Sequence, residues 1–132
     1  MKNFVRTNLL KLESSSSVFD AAKLMKENDA GSVLVTANGE TVGIVTERDV
    51  LYKVAAADLP PSKTPLKEIM STGIFSTTSD TPITEALKLM AKHHIRRLLV
   101  TEGGKPVGMV SQRSIIGGSF RVAKETEGEN EE

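Results

Sequence analysis

The sequence contains no cysteine and no tryptophan. Without cysteine the chain forms no disulfide, no thiolate metal site and no cysteine nucleophile. Aromatic residues make up only 4% of the chain, so the stacking residues on which single-strand nucleic-acid binders depend are scarce. The longest unbroken apolar run is the four residues Val54–Ala57, too short to span a membrane, and no signal-peptide core opens the chain. The sequence therefore predicts a cytoplasmic protein.

The chain also lacks an excess of either charge. Seventeen Lys and Arg residues balance seventeen Asp and Glu residues, which disfavours binding to bulk nucleic acid or to a membrane surface. Five glutamates fall within residues 121–132, so the rest of the chain holds fifteen basic and twelve acidic residues. This composition predicts a mildly basic body followed by a disordered acidic tail.

An internal repeat organises the chain. When the sequence is shifted by 65 residues, Val18–Val50 aligns with Ile83–Ile115 without a gap, and twelve of the 33 pairs are identical. Identity at this level without an insertion indicates a duplication. The identical pairs are Ala21/Ala86, Lys23/Lys88, Leu24/Leu89, Met25/Met90, Leu34/Leu99, Val35/Val100, Thr36/Thr101, Gly39/Gly104, Val42/Val107, Gly43/Gly108, Val45/Val110 and Arg48/Arg113.

Each copy predicts the element order β-α-β-β-α. The strand pairs flank Asn38-Gly39 and Gly103-Gly104, which are typical of tight hairpin turns. The predicted strands are Leu9–Leu12, Ser32–Thr36 and Thr41–Thr46 in the first copy, and Ile74–Thr77, Arg97–Thr101 and Pro106–Ser111 in the second. The predicted closing helices are Arg48–Ala57 and Arg113 to about Val122.

The first helix of each copy shows one apolar face. Apolar residues recur at i, i+3, i+4 and i+7, which is the helical period. Capping is predicted from the Ser14–Ser17 run in the first copy, and from Thr81 with Pro82 at the first helical position in the second. The predicted faces are Val18, Ala21, Ala22 and Met25, and Ile83, Ala86, Leu87 and Met90, with both methionines in the core.

One copy of about 55 residues buries too little surface to be comfortably stable alone. The sequence therefore predicts an α+β fold in which two motifs pack sheet to sheet with pseudo-twofold symmetry, leaving two clefts at their interface where small ligands bind. The predicted boundaries are about 4–58 and 66–120 for the motifs, 57–65 for a proline-containing linker, and 121–132 for the tail, so that residues 1–120 hold the pair.

The most specific pattern lies where the last strand of each copy meets the closing helix. In the first copy Thr46 precedes Asp49 by three residues, and in the second Ser111 precedes Ser114. One interpretation is a capping box, in which the side chains satisfy backbone N–H groups at the helix start. The other interpretation is a nucleotide site, in which Thr46 donates to a phosphate oxygen and Asp49 accepts from ribose hydroxyls.

The duplicated pattern resembles a CBS motif, and two motifs in tandem resemble a CBS-domain pair, or Bateman module. The resemblance rests on the helix–strand–hairpin order, the Gly-x-x-Thr/Ser junctions, the apolar strands Val33–Val35 and Leu98–Val100, and the Glu68–Met70 run. It covers about residues 4–120. It implies a non-catalytic regulatory module that requires no cofactor, binds AMP, ADP or ATP, or sometimes S-adenosylmethionine, and often dimerises into a disc of four motifs.

The resemblance also implies two unequal clefts. In the second of them, Ser114 stands where the family pattern has aspartate, which predicts weaker or different binding because a hydroxyl cannot replace a carboxylate as a double acceptor. The residues implied for the first cleft are Thr46, Arg48, Asp49, Gly73, Ile74, Ile95, Arg96 and Arg97. Those implied for the second cleft are Ser111, Arg113, Leu10, Ala30, Gly31 and Ser32.

Several residues and the function as a whole have alternative interpretations. Arg96 and Arg97 are adjacent on a strand, so at most one of them points into a given cleft, and a solvated surface position is the simpler interpretation of either. His93 and His94 are adjacent at a helix end, which is poor geometry for a metal site, and they suit the helix dipole instead. No catalytic constellation and no P-loop is recognisable. A nucleic-acid or protein adaptor without a small ligand is the remaining alternative, and the partner protein that receives the signal is not specified by the sequence.

Overall fold

The computed structural model describes residues 4–117, so the predicted tail and the predicted end of the last helix lie outside the described residues. These residues form two compact units. Leu9–Ile74 is one unit, and the described parts of Met1–Asn8 and Phe75–Glu132 form the other. Within residues 4–117 no helix has the length and apolar character needed to cross a membrane.

The predicted element order is confirmed in both copies. The first copy comprises β1 Lys11–Glu13, α1 Val18–Asn28, β2 Ser32–Ala37, β3 Glu40–Thr46 and α2 Glu47–Asp49, which continues as the π-helix Val50–Ala55. Two 3-10 helices, Pro61–Lys63 and Leu66–Glu68, lead to the second copy, which comprises β4 Ser76–Thr78, α3 Ile83–His93, β5 Arg97–Glu102, β6 Lys105–Ser111 and a helical stretch at 112–117.

Each copy builds one three-stranded mixed sheet. The first sheet has the order β1-β2-β3 and the second has the order β4-β5-β6; in each, the first pair is parallel and the second is antiparallel. Asn38 and Gly39 have φ values of 53° and 79°, as a type I′ turn requires, and Gly103 and Gly104 have 58° and 80°. The hairpin prediction from the paired turn residues is therefore confirmed.

The helices cover the sheets with the apolar faces that the sequence predicts, with one exception. Met25 and Met90 are buried in the cores of their units, as expected. Leu87, predicted to belong to the apolar face of α3, is 39% exposed, and Leu89 packs against the core of that unit. The buried core residues are Val18, Ala21, Met25, Val33, Val35, Val45, Val54, Leu66 and Ile69 in one unit, and Ala86, Met90, Leu98, Val100, Val110 and Ile115 in the other.

The two copies start their first helix differently. Ser17 caps α1 by accepting a hydrogen bond from the Asp20 N–H at 3.1 Å, as predicted. The predicted Thr81 cap with Pro82 as the first helical residue is wrong, because Pro82 itself is the N-cap residue and has an extended backbone. The Thr81 hydroxyl is instead engaged by the Thr77 hydroxyl, which donates to it at 2.7 Å in the turn after β4.

The closing helix of the first copy is also not the α-helix predicted over Arg48–Ala57. After α2 the chain widens into a π-helix, where the Ala56 N–H donates to the Leu51 carbonyl at 2.9 Å. The wider turn places Val54 in the core, 1% exposed, and leaves Leu51 and Tyr52 more than half exposed. The period of the apolar residues does not distinguish this geometry from an α-helix.

Helices α1 and α3 both end on a residue in the left-handed region. Asp29 has φ 47° and His94 has φ 54°, and each donates its backbone N–H into the last turn of its helix. Glycine is the preferred residue at such a position because any side chain there is strained.

We expect His94→Gly to stabilise the protein by about 0.5–1 kcal/mol, because relief of the left-handed strain exceeds the added entropy of the unfolded chain. Lys92→Gly, in the last turn of α3 before that position, is the matched control and should cost about 1 kcal/mol. Urea denaturation of both variants checks the sign, and a loss of stability in His94→Gly contradicts the strain argument.

Each compact unit receives a short edge segment from the start of the other copy. Arg6 forms two backbone hydrogen bonds with Met109 in β6, at 2.8 and 2.9 Å. Ser71, which lies 65 residues after Arg6, forms the same pair with Ile44 in β3, at 2.9 and 3.0 Å. The compact units therefore do not coincide with the sequence repeats at these two segments.

Candidate functional site

Thr46 and Asp49 form a closed ring of hydrogen bonds where β3 ends and α2 begins. The Asp49 N–H donates to Thr46 Oγ1 at 3.2 Å, and the Thr46 N–H donates to Asp49 Oδ2 at 2.9 Å. The Thr46 hydroxyl also donates to Asp49 Oδ2, at 3.0 Å. These bonds form the reciprocal capping box that the sequence offered as one interpretation.

The second oxygen of Asp49 is held by a lysine. Lys53 Nζ lies 3.0 Å from Asp49 Oδ1 and also donates to the backbone carbonyl of Ile69 at 2.9 Å. The Asp49 side chain is only 11% exposed, whereas that of Lys53 is 45% exposed. A carboxylate so far removed from water requires a charged partner or several donors, and here it has both.

The backbone N–H groups at the start of α2 are largely committed within the unit. The Glu47 N–H donates to the Gly31 carbonyl at 3.1 Å, and the Asp49 N–H is used by the capping box. An anion at this helix start would therefore be held mainly by side chains. Arg48 is exposed, and its guanidinium lies over the Tyr52 ring, 5.0 Å from the centroid.

The second copy builds the same ring from two serines. The Ser111 N–H donates to Ser114 Oγ at 2.8 Å, and the Ser114 N–H donates to Ser111 Oγ at 2.9 Å. The Ser114 hydroxyl in turn donates to the Ser111 carbonyl at 3.0 Å. The geometry of the junction is thus preserved while the carboxylate is lost, which is the difference that the sequence predicts between the two sites.

Strand pairing places other predicted residues beside these junctions. Ser32 pairs with Thr46 across β2 and β3, and Arg97 pairs with Ser111 across β5 and β6. The Gln112 N–H donates to the Arg96 carbonyl at 2.9 Å, as Glu47 does to Gly31. Gly31 and Ser32 thus lie next to the first junction, and Arg96 and Arg97 next to the second.

The remaining predicted residues lie on the segments that flank these junctions. Leu10 accepts a hydrogen bond from the Leu34 N–H at 2.8 Å just before β1, and Ala30 donates its N–H to Met25 at 2.9 Å after α1. Ile95 makes the matching bond to Met90 after α3, at 2.9 Å. Gly73 and Ile74 follow the Ser71 segment, and Arg113 lies in the first turn after β6, exposed at the surface.

The described structure divides the predicted sites between the two units. Thr46, Arg48, Asp49, Gly73 and Ile74 lie in the Leu9–Ile74 unit together with Leu10, Ala30, Gly31 and Ser32. Ile95, Arg96, Arg97, Ser111 and Arg113 lie in the other unit. The assignment of these residues to two shared clefts stays a prediction.

The adjacent histidines have separate structural roles. His93 stacks on the Phe75 ring with centroids 4.0 Å apart, and His94 forms the left-handed end of α3. Among the described residues, no group of three or more His, Asp or Glu side chains is placed to hold a metal ion.

Lys53 is the residue at this site that the sequence reasoning missed. The signal was present, because Asp49 and Lys53 are four residues apart, a spacing that brings opposite charges together on a helix. The contact to Ile69 had no such signal, because it joins residues sixteen positions apart across a proline-containing linker.

One carboxylate in the turn before α3 has a lowered pKa. The Thr78 hydroxyl donates to the Asp80 carboxylate, and this bond, together with the backbone N–H of Asp80, lowers the pKa of Asp80 below its usual value. The carboxyl is fully exposed, so the effect concerns the local turn and not the candidate site.

The chain matches known proteins along most of its length. The family model for the CBS domain matches twice, at residues 1–56 and 66–119. The CBS domain-containing protein YhcV of Bacillus subtilis is 31% identical over 111 residues, covering 84% of this chain and 79% of YhcV. An uncharacterized protein of Methanocaldococcus jannaschii is 36% identical over 103 residues; the match covers 76% of this chain but only 55% of that protein.

Solved structures agree in fold. A conserved uncharacterized protein of Pyrococcus horikoshii superposes with a TM-score of 0.83 at 34% identity, covering 89% of both chains. The hexameric CBS-CP12 protein from bloom-forming cyanobacteria superposes with a TM-score of 0.80 at 32% identity, covering 87% of this chain and 68% of that one. On the double family match, the duplicated junctions and these relatives, the chain belongs to the CBS-domain family, a family of regulatory modules, and carries two CBS motifs in tandem.

Proposed function

We propose that this protein is a non-catalytic regulatory module that binds an adenine nucleotide, with AMP as the preferred ligand, and signals to a partner protein in the cytoplasm. The observation that carries the proposal is the Thr46–Asp49 ring with its lysine, in which a nearly buried carboxylate is already oriented by donors of its own chain. Family membership supports it, because CBS motifs are regulatory modules.

The acceptor positions of Asp49 match a ribose. A carboxylate offers about four lone-pair positions. Within the described residues three are used: two on Oδ2 by the N–H and the hydroxyl of Thr46, and one on Oδ1 by Lys53. One ribose hydroxyl therefore finds an acceptor on Oδ1 without breaking any existing bond.

The second ribose hydroxyl is accommodated by an exchange of partners at Thr46. If the Thr46 hydroxyl turns from Asp49 Oδ2 to a phosphate oxygen of the ligand, it releases one acceptor position on Oδ2. One hydrogen bond is then broken and two are formed, from Thr46 to the phosphate and from the ribose to Asp49, and leaving no polar group unsatisfied avoids a penalty of about 1–3 kcal/mol. In this proposal Asp49 binds the ribose and Thr46 binds the phosphate, and each contact favours the other.

The second site is proposed to bind more weakly. Ser114 offers one hydroxyl, and that hydroxyl already donates to the Ser111 carbonyl while its oxygen accepts the Ser111 N–H. Without a carboxylate, this junction offers no charged acceptor to a ribose. The two copies are therefore proposed to differ in both affinity and ligand preference.

The output of a module without catalysis must be a change of assembly or of partner binding. A ligand shifts such an equilibrium only when it binds one state more tightly than the other. The cyanobacterial CBS-CP12 relative is hexameric, which supports self-association as part of the mechanism. We propose that this chain acts as a homodimer of four motifs and that the nucleotide biases the arrangement recognised by the effector protein.

Calorimetric titration of the purified chain with AMP, ADP, ATP and S-adenosylmethionine tests the proposal. We expect saturable binding of AMP below millimolar concentration, with a ligand-dependent rise in melting temperature. If S-adenosylmethionine binds more tightly than the nucleotides, it becomes the proposed ligand instead of AMP. No heat from any of the four, together with a salt-dependent gel shift on nucleic acid, would replace the proposal with an adaptor function.

A further inference from the structure

The contacts of Lys53 join the two segments of the first candidate site that come from distant parts of the sequence. Its ammonium lies 3.0 Å from Asp49 Oδ1 and 2.9 Å from the Ile69 carbonyl oxygen. Asp49 belongs to the junction after β3, and Ile69 opens the segment that runs to Gly73 and Ile74. One side chain thus fixes the distance between the proposed ribose acceptor and the segment predicted to flank the base.

The segment that Lys53 contacts is also held by β3 and by the core of its unit. Ser71 bridges to Ile44, and Met70 packs against Gly43, where a Cβ atom would lie 2.6 Å from the Met70 sulfur. Ile69 itself is 4% exposed and belongs to the core of its unit. Lys53 adds a bond to the polar backbone at this point and connects it directly to the carboxylate.

On these contacts we propose that Lys53 is a positioning residue for ligand recognition at Asp49, an inference that rests on the proposed function. It holds Oδ1 of Asp49 on one side and leaves the remaining lone pair of that oxygen directed to the ribose. Its positive charge also compensates the Asp49 carboxylate, which is 11% exposed and has lost most of its hydration.

In sequence, the second copy has neither the aspartate nor the lysine four residues after it. The residue 65 positions after Lys53 is Gly118, so neither the aspartate nor the lysine is repeated in sequence. A pair that is kept together in one copy and lost together in the other fits a joint role at one ligand site. An i, i+4 ion pair that only stabilised the helix would also be lost as a pair, so affinity measurements must separate the two roles.

The test compares Lys53→Met, Lys53→Arg and the control Lys67→Met, which removes one exposed lysine outside the site. For each protein, calorimetry measures the affinity for AMP and for 2′-deoxy-AMP. If Lys53 acts through Asp49 on the ribose, Lys53→Met should weaken AMP about tenfold and 2′-deoxy-AMP less than about threefold, as in a double-mutant cycle. Lys53→Arg should recover most of the discrimination, and Lys67→Met should change neither affinity. Equal weakening of both ligands, or no weakening of either, would overturn the inference.

A ligand-independent measurement separates this inference from the proposed function. In heteronuclear NMR spectra of the free chain, Lys53→Met should shift the Ile69 carbonyl, Met70 amide and Thr46 amide resonances, and Lys53→Arg should shift them less. If the wild-type chain binds no nucleotide, the proposed function fails. The proposed role of Lys53 in ligand recognition then fails as well. The NMR shifts in that case test only whether Lys53 contacts both Asp49 and the Ile69 carbonyl in solution.

Discussion

Asp49→Ser is expected to weaken AMP binding about 10- to 100-fold while the protein stays folded. The substitution removes a charged acceptor for the ribose, and hydrogen bonds to charged groups contribute about 1.5–3 kcal/mol. Serine is chosen because the second copy shows that a serine at this position completes the ring, with both backbone bonds at 2.8–2.9 Å. The cap should therefore survive, and the affinity change should report the loss of the carboxylate together with its ion pair to Lys53.

The cost of Asp49→Ser in stability should be about 1 kcal/mol, because both backbone bonds of the ring are rebuilt while the bonds from the Thr46 hydroxyl and from Lys53 to the carboxylate are lost. Asp49→Ala, which cannot rebuild the ring, should cost about 1–2 kcal/mol. Denaturation curves of the two variants therefore separate capping from binding. If the two lose equal stability, serine does not restore the cap in the first copy.

The reciprocal variant provides the matched control. Ser114→Asp gives the second copy the carboxylate that its junction lacks, and its Ser111 partner is already in place. We expect the variant to gain affinity for AMP relative to 2′-deoxy-AMP at the second site, visible as a second calorimetric transition. Unchanged AMP affinity in Asp49→Ser would show that the ribose does not contact this carboxylate, whatever the outcome at Ser114.

The parts of the fold that the sequence predicted are those set by local chemistry. Asn38-Gly39 and Gly103-Gly104 specify the hairpins because few other pairs tolerate two consecutive positive φ angles. The strands and the apolar helix faces follow from periodicity, and the duplication provides each assignment with an independent copy. The capping box at Thr46 follows for the same reason, since its partners are only three residues apart.

The parts that it missed depend on contacts between distant segments or on small energy differences. The π-helix Val50–Ala55 has backbone hydrogen bonds that span five residues instead of four, and this geometry accompanies a buried Val54. Lys53 reaches Ile69 only because the proline-containing linker returns the chain to β3. Pro82 replaces Thr81 at the start of α3 because the Thr81 hydroxyl finds its partners in the preceding turn. None of these outcomes can be predicted from spacing alone.

The edge segments at Arg6 and Ser71 lead to the largest expected effect on stability. The Arg6 segment docks beside Gly108 in β6, and the Ser71 segment docks beside Gly43 in β3. A Cβ atom on Gly108 would lie 2.3 Å from Val5 Cγ1 and 2.9 Å from the Arg6 carbonyl oxygen. For a Cβ atom on Gly43, the three nearest atoms all belong to the Met70 side chain, with the sulfur at 2.6 Å.

We therefore expect Gly108→Ala to cost about 2–3 kcal/mol and Gly43→Ala about 1 kcal/mol, because a methionine side chain moves aside at low cost whereas a backbone carbonyl does not. Gly117→Ala, with nothing within 4 Å of its Cβ position and a helical backbone, is the control and should not lose stability. Guanidinium denaturation measures the three values, and faster amide exchange at Arg6 and Met109 in Gly108→Ala would locate the damage at the docked segment. If Gly108→Ala loses less free energy of unfolding than Gly43→Ala, the prediction is wrong. The Arg6 segment would then shift to make room for the added Cβ atom more easily than the Met70 side chain does.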